Sequence, residues 1–215
     1  MTLSNLAKTD KPKRVRLAAL KSGPRQRVRI AATDVKAYYP TEVEAGLFEE
    51  DSHADTTLLG KGWRVVQTRP YTTSVGGFSD DLNDITLNVV DAITVARTDQ
   101  DDEVLLRVNW GLHKPDEAHS LMGTFQVRDS GTVVETTPTQ HDPKSRFALV
   151  LNDKDGEEIR VKFGLRGVSA GFAIRTPTDE DMERLKDDTY EITSQVKWDP
   201  SSNDHGRTKK PLRKE

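Results

Sequence analysis

The sequence predicts a mainly β protein, an antiparallel β-sandwich or barrel with one peripheral helix and extended basic N- and C-terminal arms. Three observations lead to this prediction: short apolar runs separated by turn residues, one stretch with helix start signals, and Lys and Arg concentrated at both chain ends. With 215 residues, the chain is long enough for one buried domain with extensions.

The N-terminal segment 1–32 predicts a basic arm that folds back as a β-hairpin. Arg-Val-Arg-Leu-Ala-Ala at 14–19 returns as Arg-Val-Arg-Ile-Ala-Ala at 27–32, and basic and apolar residues alternate as in a half-buried strand. A two-stranded ribbon is marginal in water, so this arm needs a surface to lie on. Its candidate contact residues, for a second subunit or for phosphate, are Lys13, Arg14, Arg16, Lys21, Arg25, Arg27 and Arg29.

Charge is distributed unevenly along the chain, although the formal net charge is only −3. Residues 1–30 carry nine basic side chains and one acidic side chain, and the C-terminal tail, 201–215, carries five basic and two acidic side chains. Residues 31–200 therefore have a net charge of −14. The tail adds three candidate contact residues, Lys209, Lys210 and Arg213.

The β-rich body, 33–200, predicts a loop followed by a series of strands. Segment 41–60 is acidic and lacks a sustained strand or helix period, so it predicts a long exposed loop or a short helix. The apolar runs that follow have the spacing of an antiparallel sandwich or barrel. Strands are expected at 62–73, 84–97, 103–112, 123–129, 131–137, 146–153, 157–166, 169–176 and 189–198.

One helix is predicted over 178–188. Thr178 is a favourable N-cap and Asp181 follows three residues later, which is the spacing of a capping box. Met182 and Leu185 give the segment only a narrow apolar stripe. We therefore expect a helix that lies on a surface rather than one that fills a core.

Catalytic and metal-binding patterns are weak in this sequence. The chain has no cysteine, and Pro115 prevents a regular helix from placing His113 and His119 as zinc ligands. Segment 153–157 alternates carboxylates around an Asp-Gly pair, which is typical of a hairpin turn and incomplete as a calcium loop. No Gly-x-Ser-x-Gly or phosphate-binding Gly-Lys-Ser/Thr motif is present. We therefore expect a protein that is not an enzyme and needs no cofactor or metal.

The expected location is a virion or the host cytoplasm. No apolar run approaches the roughly 18 residues that would span a bilayer, and the N-terminus lacks the apolar core of a secretory signal. We therefore expect neither a membrane protein nor a protein secreted by a signal peptide.

The layout of a basic arm, an acidic loop and a β-rich body with one peripheral helix is similar to that of virion proteins, including simple coat proteins and tube-forming proteins of tailed phages. This similarity of organisation implies a structural protein, a phage tail-tube or capsid-type subunit that polymerises into a homo-oligomer through its arm and loop 41–60. Other virion proteins are further expected partners. The alternative is a nucleic-acid-binding protein that binds phosphates with its basic termini. The contact would be with phosphates because the arm has no aromatic residue on which bases could stack.

Overall fold

The structure is a computed structural model that describes residues 45–76, 85–202 and 205. Within these residues the protein is mainly β, with twelve strands and two short α-helices. The predicted arm 1–32 lies outside the described residues, as do all ten candidate contact residues of the arm and the C-terminal tail.

Nine of the described strands form one mixed sheet, and the other three form a small antiparallel sheet. The strands of the large sheet are β1 (Ala45–Asp51), β2 (Leu58–Leu59), β3 (Arg64–Val75), β4 (Ile85–Arg97), β5 (Glu103–His113), β6 (His119–Gly123), β10 (Gly164–Arg166), β11 (Ser169–Arg175) and β12 (Thr189–Glu191). The small sheet contains β7 (Val133–Glu135), β8 (Ala148–Asn152) and β9 (Glu158–Lys162).

The large sheet is not purely antiparallel, so that part of the prediction is wrong. Its order is β10-β11-β1-β6-β2-β5-β4-β3, with β12 beside β5. The β1–β6, β2–β5 and β12–β5 pairs are parallel. Each joins strands that are not consecutive in the chain, which local alternation cannot reveal. Because β11 also pairs with β4, the pairings from β11 through β1, β6, β2, β5 and β4 return to their start as a closed ring.

The main core contains residues of both sheets. Phe48 packs edge-on against Trp63 and Phe172, with ring centroids 5.2 and 5.6 Å apart. Leu149 and Val161 of the small sheet belong to the same buried cluster. One continuous core therefore fixes the small sheet against the large one.

The prediction of an exposed loop over 41–60 is wrong for residues 45–51, which form β1 between β6 and β11. Phe48 in this strand is fully buried. The acidic residues that suggested exposure have partners: Glu49 Oε2 lies 3.1 Å from His119 Nδ1, and Glu50 Oε1 accepts a 2.8 Å hydrogen bond from Thr124 Oγ1. The acidic composition therefore led to a prediction of exposure for a strand that lies inside the sheet.

The predicted strand over 123–129 is instead helix α1 (Thr124–Asp129). Val127 enters the core, and Gln126 Oε1 accepts a 2.9 Å hydrogen bond from the Thr57 backbone N–H. Gly131, with φ of 96°, follows the helix and lets the chain turn away. A buried amide that satisfies backbone groups of another segment leaves no mark in the apolar alternation of the sequence.

The predicted helix over 178–188 divides into α2 (Asp179–Arg184) and a 3-10 turn (Lys186–Asp188). The capping box between Thr178 and Asp181 is confirmed. The helix rests on the sheet through a small apolar cluster formed by Val95, Leu105, Met182 and Leu185. Among the described residues, no helix is long and apolar enough to cross a membrane.

The predicted Asp-Gly turn and the two strands on either side of it are confirmed in the small sheet. Strands β8 and β9 form an antiparallel hairpin joined by residues 153–157. The Asp153 carboxylate accepts hydrogen bonds from the backbone N–H groups of Asp155 and Glu157, at 2.9 and 2.7 Å. Gly156 has φ of 84°, which glycine adopts without strain. The Asp153 carboxylate therefore stabilises a turn.

Candidate functional site

One end of the large sheet carries a concentration of carboxylates, and we call it the acidic end. It combines turns 98–102 and 153–157 with the 3-10 turn at 186–188. The Asp99 backbone N–H donates to Arg160 O in β9 at 2.8 Å, and Lys154 Nζ lies 3.2 Å from an Asp187 carboxylate oxygen. Because Thr189 pairs with Leu105, the 3-10 turn also lies towards turn 98–102. Its eight carboxylates belong to Asp99, Asp101, Asp102, Asp153, Asp155, Glu157, Asp187 and Asp188.

The negative charge of the acidic end is only partly neutralised. Three of the eight carboxylates form ion pairs, with Arg97, Lys154 and Lys162. In the part of the chain that the structure describes, no basic side chain forms an ion pair with the other five. Burial, followed by the charges of two neighbouring aspartates, raises the pKa of Tyr190 in the adjacent strand. This end therefore presents a negative potential to an approaching partner.

Strand β1 lies beside β11, which also pairs with β4. Ala45 pairs with Arg175, and Arg175 pairs in turn with Val95, two residues before β4 ends at Arg97. Residues 1–44, which include the predicted basic arm, therefore join the sheet through Ala45, beside the β4–β11 pair.

The opposite end of the large sheet contains a cleft of about 620 Å³, and we call it the cleft end. Strands β3 and β4 continue past the last β4–β5 pair, Asn88 with His113, as a projecting two-stranded ribbon. The cleft lies between this ribbon, the turn 51–56 after β1, and the C-terminal segment 197–200. Its volume is within the range of about 300–1,000 Å³ that ligand sites occupy.

The floor of the cleft is apolar and separate from the main core. It is the second apolar cluster of the protein, formed by buried residues and by partly exposed residues that pack on them. Its members are Leu58, Val75, Leu87, Val89, Trp110, Leu112 and Trp198. An occupant with apolar side chains could therefore cover this floor.

A β-bulge directs Trp110 into the cleft. At this point Asn109 and Trp110 of β5 face a single residue of β4, Asp91. Trp110 has φ of 60°, a left-handed conformation that is uncommon for a bulky residue. Its backbone N–H donates to Asp91 at 3.1 Å, and its indole N–H donates to Gln195 O at 2.9 Å. These contacts hold a strained residue in one orientation.

Asp91 also fixes the root of the projecting ribbon. Its side chain is fully buried, and Arg69 Nε donates to it at 3.0 Å. The Arg69 guanidinium lies 4.6 Å from the ring centroid of Trp110. Arg107 Nη2 is 3.8 Å from the same carboxylate. The ribbon is therefore tied to the body by charge and by stacking at the edge of the cleft.

Aromatic rings at the cleft already contact cations. Lys197 Nζ lies 5.0 Å from the ring centroid of Tyr71, as the Arg69 guanidinium lies over Trp110. The Trp198 indole N–H donates to Asp55 O at 3.0 Å, which ties the C-terminal segment to the turn after β1. Such ring faces attract Lys and Arg side chains.

Carboxylates outnumber lysine at the rim of the cleft. Asp51 and Asp55 line it, and Asp199 lies between the lining residues Trp198 and Pro200. Hydrogen bonds from the side chain and backbone of Ser201 lower the pKa of Asp199, which is therefore ionised at neutral pH. Aromatic faces combined with carboxylates are suited to a basic ligand.

The cleft end also exposes several large apolar side chains. Phe125 packs its ring beside Trp198 while it remains half exposed, and Val196 is exposed just before the lining residue Lys197. Contiguous exposed apolar residues often mark a protein interface. The set at this end is Tyr71, Ile85, Phe125 and Val196.

The sequence analysis did not identify this cleft. Its lining residues come from segments far apart in the chain, and the signals available were an aromatic residue close to a cation in Arg69-Pro70-Tyr71 and in Lys197-Trp198. Segment 51–56, part of the predicted loop, does contribute one wall. Within the described residues, no three His, Cys, Asp or Glu side chains are arranged to hold a metal ion.

Comparisons with known protein families, characterised proteins and solved structures gave no match to this chain.

Proposed function

We propose that the chain is a structural protein that self-assembles head-to-tail into a homo-oligomer, and that the assembly is a virion component, a phage tail tube or a capsid-type shell. The observation that carries this proposal is the difference between the two ends of the body. The turns at one end carry the carboxylates, whereas the cleft and the exposed apolar residues lie at the other end. Contacts between unlike ends generate rings or extended tubes.

Charge favours this arrangement over a symmetric one. Two acidic ends repel each other, which disfavours a dimer formed through them. The described residues carry 17 basic and 26 acidic side chains, a net charge of −9, whereas residues 1–30 carry +8. Attraction between the arm of one copy and the body of the next therefore supports repeated association.

The terminal strand β3 offers a further contact. It is the last strand in the order of the large sheet, and most of its twelve residues are exposed. Pro70 lies where its pairing with β4 is irregular, between Thr68 and Thr72. Proline and irregular pairing protect a sheet edge from indiscriminate association, while the rest of the strand can still receive a partner strand.

The closed ring of strand pairings supports the finer part of the fold prediction. We propose that the ring from β11 through β4 is a small barrel on which the small sheet packs. A barrel would keep the two ends of the body at a fixed separation, which a subunit of a regular assembly needs.

The proposal is tested by the mass of the full-length protein, measured by size exclusion with light scattering while the 260/280 nm absorbance ratio is recorded. A first variant replaces the four alternating arginines of the arm by glutamine. A control variant replaces four exposed lysines of the body, and so makes the same change in net charge. The arm variant changes Arg14, Arg16, Arg27 and Arg29, and the control changes Lys61, Lys144, Lys154 and Lys186.

We expect the wild type and the control to form a large protein-only species and the arm variant to elute as a monomer of about 24.1 kDa. A wild-type monomer that carries nucleic acid, and loses it at high salt, would contradict self-assembly. It would instead support the alternative, in which the arm and the C-terminal Lys209, Lys210 and Arg213 hold phosphates.

A further inference from the structure

We infer that the cleft receives residues 27–32 of the arm of a neighbouring copy. This inference rests on the proposed head-to-tail assembly and names the contact that would produce it. The segment reads Arg-Val-Arg-Ile-Ala-Ala.

The alternation of this segment matches the two surfaces of the cleft. In an extended chain, successive side chains point to opposite sides. Val28 and Ile30 would then cover the apolar floor, while Arg27 and Arg29 face outward to the rim. Covering exposed apolar surface favours binding by about 25 cal/mol for each Å² removed from water.

The rim supplies the matching charges. Asp51, Asp55 and Asp199 are the carboxylates at or beside it, and Lys197 is the lysine that lines it. Lys197 lies over Tyr71, so this ring already contacts a cation in the isolated chain. An arginine of the arm can form charge-assisted hydrogen bonds to the carboxylates and stack on a ring.

The connection between the arm segment and the body is long enough to reach a neighbouring copy. The arm joins the body through Ala45, and the cleft of another copy offers it an apolar floor and a rim with carboxylates. Residues 33–44 connect the segment to β1. Twelve extended residues span up to about 40 Å, so the segment can reach a surface outside its own body.

Charge reversal in the full-length protein tests this contact. The arm variant carries Arg27→Glu and Arg29→Glu, and the rim variant carries Asp55→Lys and Asp199→Lys. Both rim positions are exposed, so these changes leave the core intact. The control variant carries Asp116→Lys and Asp142→Lys, two exposed positions away from the cleft. Asp142 accepts a hydrogen bond from the backbone two residues later, as Asp199 does.

We expect the arm variant and the rim variant each to associate at least about tenfold more weakly than the wild type, because each places like charges in the contact. Mixed in equal amounts, they should assemble again, since each arm then meets a rim of opposite charge. The chain that combines all four reversals should assemble for the same reason. Sedimentation velocity measures all of these species, and the control should match the wild type.

The outcomes separate this inference from the proposed function. If the wild type and control assemble while the mixture and the combined variant stay monomeric, the arm does not occupy the cleft, and assembly uses another contact. Assembly of the rim variant at wild-type strength also overturns the inference. If the wild type is itself a monomer, the proposed function fails and the inference fails with it.

Discussion

Replacement of Asp91 by alanine is expected to destabilise the protein strongly, because this carboxylate is completely buried and anchors three groups. The change leaves Arg69, whose side chain is only 22% exposed, without its ionic partner. It also leaves the Trp110 backbone N–H without its acceptor. Breaking a buried pair on one side costs about 3–5 kcal/mol. For a domain of this size, this corresponds to a loss of about 6–20 °C in melting temperature.

Urea denaturation followed by circular dichroism measures this loss, with Lys154→Gln as the matched control. Lys154 and Asp187 also form an ion pair, but both side chains are 75% exposed, so the control should lose no more than about 1 kcal/mol. A double-mutant cycle with Arg69→Ala separates the pair from the other contacts of Asp91. An Asp91→Ala variant that loses less than about 1 kcal/mol would refute the view that this carboxylate holds the root of the ribbon.

Three other predictions concern pH, packing and salt. The hydrogen bond from Arg175 lowers the pKa of Asp181, so this residue stabilises the fold above the pKa of an unfolded aspartate and loses that effect as the pH falls. The gap in unfolding free energy between wild type and Asp181→Asn should therefore shrink from pH 7 to pH 3 in urea titrations, and a constant gap contradicts this. Gly46→Ala should lower the melting temperature, because the new Cβ would lie 2.1 Å from Lys61 O. Gly164→Ala should be tolerated, because its Cβ meets nothing nearer than 3.8 Å. Equal melting temperatures of the two variants would be inconsistent with the packing. Association measured by sedimentation should weaken as NaCl is raised, and salt-independent association would argue against the basic arm as the contact.

The local elements of the fold could be predicted from the sequence, and the elements that depend on distant partners could not. Long apolar runs predict strands β4 and β5. Thr178 and Asp181 predict α2, because its cap involves only neighbouring residues. Strand β1 is short and rich in acidic residues, and it is a strand because β6 and β11 pair with it on both sides. Helix α1 likewise depends on the Gln126 amide, whose partner Thr57 is distant in the chain.

The cleft was harder to predict than the arms for the same reason. The basic arms are visible as runs of charge, so ten contact residues could be proposed from the sequence, and they stay a prediction because they lie outside the described residues. The cleft brings together the turn 51–56, Tyr71, Trp110 and Trp198. Only the fold places these residues together, and the bulge that directs Trp110 inward arises from pairing between strands rather than from composition.

Cross-linking between single cysteines tests head-to-tail association most directly, because the chain has no cysteine of its own. One variant carries Asp102→Cys at the acidic end, and a second carries Val196→Cys at the cleft end; both positions are exposed. Treated with a bis-maleimide, the mixture should give a cross-linked dimer, while each variant alone should give little. Efficient cross-linking of either variant to itself, with none between the two, would show that like ends meet and would contradict the account.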